Sequence, residues 1–369
     1  MSISAAWGEE QGIFAAHQID ALVAAGAIAP ALPLAQGQIQ PASLDLRLGR
    51  RAWRMRASFL PGALPVREAI ERYALHEIDL TPGAVLETNC VYVAELAESL
   101  ALPGDVAASA NPKSSTGRID VFTRVIADRA RAFDTIEAGY TGPLFAEISP
   151  RTFPIIARSG SRLSQIRFRR GSARLDEAAH AALHARQRLV STENPSFTGG
   201  VAVSVDISGF GDSPIGYRAK RHTGLVDVDR PASCDVVDFW EPIFSGGKGE
   251  LVLDPGEFYI LASKEEVLVP ADHAAEMTPF DPLVGEFRVH YAGFFDPGFG
   301  AVEAGGAGAR AVLEVRSHDV PFILEDGQPV GWLVYERMAQ VPRALYGEGL
   351  GSNYQAQGLK LSKHFRAPR

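Results

Sequence analysis

Residues 113–118 read KSSTGR: Lys113, Ser114, Ser115, Thr116, Gly117 and Arg118. Hydroxyls, backbone N–H groups around a glycine and two cations make a cradle for an anion, and the guanidinium suits bidentate phosphate contacts. The same composition suits a solvated turn between strands, and both readings stand at this point. The spacing is not GxxxxGK[ST], so Walker-type phosphate binding is excluded. Glu147 is the second candidate, in PLFAEIS, a run that otherwise reads as a buried strand. A carboxylate there is expensive unless paired, which makes it either a general base or a salt-bridged strand residue, with Arg151 or Arg158 as partner. In GYTGPL (139–144), two glycines bracket an aromatic residue. That pattern fits a hairpin whose backbone approaches a flat ligand, or an ordinary turn. The stretch GSNYQAQGLKLSKHFR (351–366) carries Tyr354, Gln357 and Lys363. It reads as a disordered tail or as a segment that orders over a ligand, its tyrosine stacking on a base.

Other chemistries are excluded by what is missing. Cys90 and Cys234 form no CxxC, and no histidine opens an HxE. The His/Cys spacing of zinc deaminases is absent, as is the GxSxG elbow of serine hydrolases. A net charge of −8 gives no basic field for nucleic acid, so any phosphate site must be local. The first 30 residues lack a signal-peptide pattern and no apolar run reaches membrane-spanning length. A soluble, cytoplasmic protein is expected.

The elements that must position these residues are mostly strands. VLETNCVYVAEL (85–96), RVIADRARAF (124–133), PLFAEIS (143–149) and EFYILASKEEVLV (257–269) alternate or are β-branched, punctuated by Pro and Gly. Helical spacing occurs in HQIDALVAAGAI (17–28) and ARLDEAAHAALHARQRLV (173–190). The second helix runs into STENPSFTGG, which reads as a linker. The flanks of that linker repeat each other. Tyr92, Glu98, Pro103, Asp105, Glu147, Pro154 and Gly160 recur 167 positions later as Tyr259, Glu265, Pro270, Asp272, Glu314, Pro321 and Gly327. PASLD (41–45) also returns as PASCD (231–235), 190 later. Two copies of one β-domain are expected, over 1–190 and 191–369. The second copy has Asp281, Pro282 and Gly285 where the first has Ser114, Ser115 and Arg118, so it is degenerate in this chemistry.

Taken together, IQPASLDLRLG (39–49), KSSTGRIDVFTR (113–124), GYTGPLFAEISPRTFPI (139–155), GSRLSQIRF (160–168) and YQAQGLKLSK (354–363) resemble the dCTP deaminase branch of the deaminase/dUTPase family. The resemblance implies a mostly-β fold, two tandem dUTPase-like distorted β-barrel or jelly-roll domains with a few helices, in a trimer-based homo-oligomer. It implies hydrolytic deamination of dCTP to dUTP, with Mg²⁺ carried on the triphosphate and no zinc or other protein-bound metal. Glu147 would then be the general base and acid, with Ser114 and Arg118 positioning water and ring. Lys113, Ser115 and Gly117 would meet the triphosphate, and Phe145 and Ala146 would lie where backbone reads the base. Gln165 falls in a matching segment, and Tyr354, Gln357 and Lys363 fall in the closing tail. The deoxyribose contact is open between Asp134 and Glu137, and Asp45 reads as a structural strand residue. Three rivals remain: dUTP diphosphatase, a bifunctional deaminase releasing dUMP, and a non-catalytic nucleotide-binding protein. The tail motif follows only the second copy and SSTGR occurs only in the first, so a complete site is expected to draw on both copies, either within one chain or across a subunit boundary.

Overall fold

Apolar residues at alternate positions commit most of this chain to strands with one face buried, and the ladders follow that alternation. The structure is a computed structural model. Its description covers residues 7–209, 213–279, 287–289, 293–301, 308–317, 319–347 and 358–366. Two units divide the chain. The first takes Met1–Ala173, Gly224–Ser233 and Met338–Arg343; the second takes Arg174–Thr223, Cys234–Arg337 and Ala344–Arg369. The division therefore falls at 173/174 instead of 190/191, and STENPSFTGG lies inside the second unit. The helix before it buries His180 and Leu183 there, which draws it across the expected border.

The first unit contains α1 (Ala16–Ala24), β1 (Ser43–Met55), α2 (Val66–Tyr73), β2 (Val91–Ala101) and β3 (Val106–Pro112). The single turn α3 (Ser114–Gly117) follows, then β4 (Val121–Ala127), β5 (Thr141–Pro150), β6 (Ile155–Ala157) and β7 (Arg162–Arg170). Strands run β3-β7-β1-β2-β5-β4 through one antiparallel, barrel-like sheet. Asp134 ties its two ends together. It sits at φ 60°, its carbonyl accepts from Ala110 N–H of β3, and its Oδ1 accepts from Val125 N–H of β4 at 2.7 Å. One side of the sheet holds the main core, including Leu44, Val125, Leu144 and Phe168. The other carries Trp53, Val93, Ile126 and Phe145, capped by Val66 and Ile70 of α2. A buried ion pair sits at the β1–β2 junction. Arg47 donates Nε to Glu98 Oε1 at 2.7 Å and its backbone N–H to Oε2 at 2.8 Å, and Gln38 also donates to Oε1.

The second unit has α4 (Glu177–Arg186), β8 (Val201–Ser204) and β9 (Gly216–Ala219). The chain then returns to the first unit, where β10 (Val226–Asp227) runs parallel to β6. Arg158 grips this segment with two hydrogen bonds to the Asp227 carboxylate, at 2.7 and 2.8 Å. The remaining strands of the second unit include β11 (Phe258–Val267), β12 (His273–Pro279), β13 (Ala309–Ser317), β14 (Phe322–Glu325) and β15 (Pro329–Arg337).

The repeat is written in the ladders. Val93 faces Glu147 in the first copy, and Ile260 faces Glu314 in the second. Phe168 faces Ala108, and Tyr335 faces Ala275. The shared residues also keep their hydrogen bonds. Tyr92 OH accepts from Glu87 N–H at 3.1 Å, and Tyr259 OH from Asp254 N–H at 3.0 Å. Glu98 takes the backbone N–H of Arg47, and Glu265 that of Ser204, both at 2.8 Å. These tyrosines and glutamates recur because the backbone needs them. The PASLD/PASCD match is different. PASLD enters β1, which pairs with β7, whereas the strand pairing with β15 is β8. Residues 231–235 lie outside that position, so the second match is not part of the structural repeat.

Candidate functional site

Glu147 lies on β5 directly across from Arg124 of β4 and Val93 of β2, and opposite residues in a ladder share a face. That face is the one away from the main core. Glu147 is 1% exposed. Arg124 donates to Oε1 from Nε at 3.2 Å and from Nη2 at 2.5 Å. Oε2 is buried and has no hydrogen-bond partner among the described residues. The guanidinium is itself fixed. It lies 3.5 Å from the Phe133 ring centroid and 4.6 Å from that of Phe122, and Nη2 also donates to Ser58 Oγ at 3.0 Å. A planar cation between two rings is a stiff support. The arrangement leaves one carboxylate oxygen held and the other open to accept a proton, which is what a general base requires.

Arg124 is therefore the strand partner that sequence reasoning assigned to Arg151 or Arg158. Arg158 binds Asp227 instead, and the Arg151 backbone N–H goes to Asp120 O. The signal was present as a hairpin register: two strands paired antiparallel place position 124 opposite 147.

The KSSTGR stretch forms α3 and its flanks. Thr116 and Gly117 donate backbone N–H to Lys113 O, and Arg118 donates to Ser114 O. Ser115, Gly117 and Arg118 are buried and Ser114 is half-buried. Lys113 Nζ pairs with the Asp45 carboxylate, whose other oxygen lies 3.5 Å from Arg162 Nη1. Asp45, Gln165 and Asn111 face one another across β1, β7 and β3, and Gln165 Nε2 donates to Pro112 O at 3.4 Å. Lysine and arginine thus converge on one buried aspartate beside the hydroxyl-bearing turn, with Gln165 next to it in the ladder.

These are two separate groups in the first unit. Glu147 makes no described hydrogen bond to Ser114 or Arg118. Arg124 lies three residues along β4 from Val121, about 10 Å at the usual strand rise. The other expected residues distribute unevenly. Phe145 and Ala146 are fully buried and paired on both sides, with Glu95 and Ala94 of β2 and with Ile126 and Val125 of β4. The strand has no free edge there. Asp134 closes the sheet, and Glu137 is exposed in the turn before β5. Tyr140 is also structural: its hydroxyl donates to Pro143 O at 2.6 Å and accepts from Asp128 N–H, and burial pushes its pKa up to about 12. Lys363 is half-buried, while Tyr354 and Gln357 lie outside the described residues.

No group of three or more His, Cys, Asp or Glu able to hold a metal occurs among the described residues. His180 and His184 stand one turn apart on α4, a spacing the sequence reading passed over. His180 Nε2 accepts from Tyr335 N–H and His184 Nδ1 from Leu189 N–H, so both serve the backbone. No described helix is long and apolar enough to cross a membrane.

Known proteins resemble this chain over most of its length. The family model described as the 2′-deoxycytidine 5′-triphosphate deaminase N-terminal domain matches residues 10–172, and the corresponding C-terminal-domain model matches 176–365. The crystal structure of 2′-deoxycytidine 5′-triphosphate deaminase from Agrobacterium tumefaciens is 62% identical. The match covers 93% of this chain and all of that one, with a TM-score of 0.88. A "dCTP deaminase, dUMP-forming" from Beutenbergia cavernae is 31% identical over 143 residues, 38% of this chain and 71% of that relative. A "dCTP deaminase" from Haloarcula marismortui is 29% identical over 134 residues, 36% of this chain and 66% of that relative.

Proposed function

The chain belongs to the dCTP deaminase family, and on that premise we propose that it hydrolyses the exocyclic amine of dCTP, with Glu147 as general base and general acid. The observation that carries the role of Glu147 is its carboxylate: buried, fixed at Oε1 by Arg124, and without a partner at Oε2 among the described residues. In this reading Oε2 accepts a proton from water as the oxygen attacks C4 of the cytosine ring. Glu147 hands that proton to the ring nitrogen N3 and then carries the second proton of the attacking oxygen to the amine; the C4–N4 bond breaks, and ammonia leaves while the C4 carbonyl of uracil forms. Because the two groups lie apart within one chain, this reading takes the KSSTGR turn from a neighbouring subunit: its Ser114 and Arg118 orient water and base, and its Lys113 and Ser115 meet the phosphates. Because Lys113 is paired with Asp45, the phosphates must draw it away or share it. The substrate is the magnesium complex of the nucleotide. Mg²⁺ commonly binds through substrate phosphates with few protein ligands. Deamination without zinc is part of the same proposal. A cytoplasmic homo-oligomer is part of the same reading, and neither cysteine is in a disulfide.

A second product is favoured by the relatives named dUMP-forming. The same carboxylate would deaminate, and hydrolysis of the triphosphate would then release dUMP and pyrophosphate. Incubation with Mg²⁺ and dCTP separates the two: ammonia with dUTP marks the first, ammonia with dUMP and pyrophosphate the second. A strand carboxylate at 147 is not needed for attack on phosphorus alone, which weighs against a plain dUTP diphosphatase. The decisive variant is Glu147→Gln, which keeps the shape and removes the base. It should bind dCTP and release no ammonia; substantial turnover would dismiss Glu147.

A further inference from the structure

The second copy holds a cavity of about 350 Å³, lined by Asp206, Ile215, Tyr217, Ala262, Arg310 and Leu359 among others. That lies within the range of small-molecule sites, roughly 300–1,000 Å³. The repeat explains why it is open. Trp53 faces Val93 in the first copy, and Tyr217 faces Ile260 in the second. The same register pairs Arg51 with Ile215, Glu95 with Ala262 and Pro143 with Arg310; the bridge Val205–Ser263 pairs Gly49 with Asp206. In the first copy this space is filled: Arg51 and Arg67 both pair with Glu95, at 2.7 and 2.6 Å, and Arg51 lies over Trp53. In the second copy the arginine has become isoleucine and the glutamate alanine, which empties the space. A glycine and a proline have become an ion pair, Arg310 Nη1 to Asp206 Oδ2 at 2.5 Å, with side chains only 15% and 8% exposed.

Burying two ions is unfavourable, and an apolar pair of similar volume commonly stabilises as well or better. Stability therefore does not account for introducing one at the edge of an open cavity. We infer that the second copy carries a separate binding site for an uncharged pyrimidine nucleoside, its ring against Tyr217 and its polar edge on Asp206 and Arg310. The Tyr217 hydroxyl makes no hydrogen bond among the described residues, and burial pushes its pKa up, so it stays a neutral donor at pH 7. The carboxylate and guanidinium present an acceptor and a donor side by side, the complement of a pyrimidine edge. The pair itself carries no net charge, so it offers a triphosphate no cationic surplus. The inference stands whether or not Glu147 is the catalytic base.

Binding of thymidine, 2′-deoxyuridine and 2′-deoxycytidine to the full chain by calorimetry tests it. At least one nucleoside should bind saturably, and Ala262→Leu, which refills the space, should weaken that binding by roughly tenfold or more. Tyr217→Phe should weaken it by about threefold to tenfold, the worth of one hydrogen bond. Both variants should keep ammonia release from dCTP, and Tyr217→Phe decides the matter should Ala262→Leu fail to fold. No saturable binding by the wild type, or a nucleoside affinity unchanged in the folded variants, overturns the proposal. So does a triphosphate binding this site more tightly than its nucleoside.

Discussion

Arg124 reaches Glu147 from directly across the β4–β5 ladder, placing Nη2 2.5 Å from Oε1 while Oε2 stays buried with no hydrogen-bond partner among the described residues. One oxygen is spoken for and the other is not, so the arginine fixes the direction in which the carboxylate accepts a proton. Arg124→Ala should lower kcat for ammonia release by roughly 10²-fold, the lower range for a positioned acid–base group, with KM nearly unchanged. Arg124→Lys should recover part of the loss, since an ammonium keeps the charge without the planar fork. A folded Arg124→Ala enzyme with wild-type kcat would separate the two residues.

Glu98 and Glu265 are equivalents with unequal partners. Glu98 faces a buried guanidinium, whereas the Glu265 carboxylate takes, among the described residues, the Ser204 backbone and hydroxyl. Removing one member of a buried ion pair strands the other, so Glu98→Ala should cost about 3–5 kcal/mol. Glu265→Ala should cost about 1–3 kcal/mol, the loss of neutral hydrogen bonds. Urea unfolding of both variants checks the ranking; equal losses would contradict it.

Hydrogen bonds from Arg158 hold the Asp227 carboxyl below its ordinary value of 3.8, against the opposing effect of burial. A depressed carboxylate pKa contributes stability that is present above that value and is lost as pH falls through the folded one. Arg158 is partly exposed, so water screens the pair and Asp227→Asn should cost only about 1 kcal/mol at neutral pH. The melting temperatures of variant and wild type should converge in acid. A gap that persists below about pH 2 would mean the pair acts through shape instead of charge.

His180 gives the opposite chemistry with the same direction of loss. Its Nδ1 lies 2.8 Å from Asp176 O and its Nε2 accepts from Tyr335 N–H, so the ring is needed neutral. Burial lowers its pKa below the ordinary 6.5. Between the two values the unfolded chain binds the proton and the folded one does not, so stability is full above pH 6.5 and falls as the pH drops. Melting of the second unit should decline from about pH 7 to pH 5, and His180→Gln should flatten that slope. An unchanged slope would place the titrating group elsewhere.

The sequence carried the strands, the 167-residue period and the carboxylate in β5, because each is local or repeats at fixed spacing. Glu147 was visible as a charge inside an apolar run. Arg124 was not assigned to it, since finding that pair requires knowing which strands are neighbours and in what register. The resemblance left the sugar contact open between Asp134 and Glu137; the left-handed backbone of Asp134 and its role in closing the sheet emerge only when β3 and β4 meet. PASLD and PASCD matched by composition alone, and composition does not report pairing. The cavity beside Ala262 was invisible for a related reason. An empty space is a property of what several strands fail to fill.

Segment Gly224–Ser233, gripped by Arg158, lies between stretches of the second unit in chain order, yet it belongs to the first. A gene shortened at the copy border would lose a parallel strand and its ionic anchor from the half that bears Glu147. Duplication followed by such interleaving works like a ratchet: the extra half can drift in its chemistry, but deletion cannot discard it cleanly. Persistence of the second copy thus follows from how the backbone is threaded, whatever else that copy has acquired.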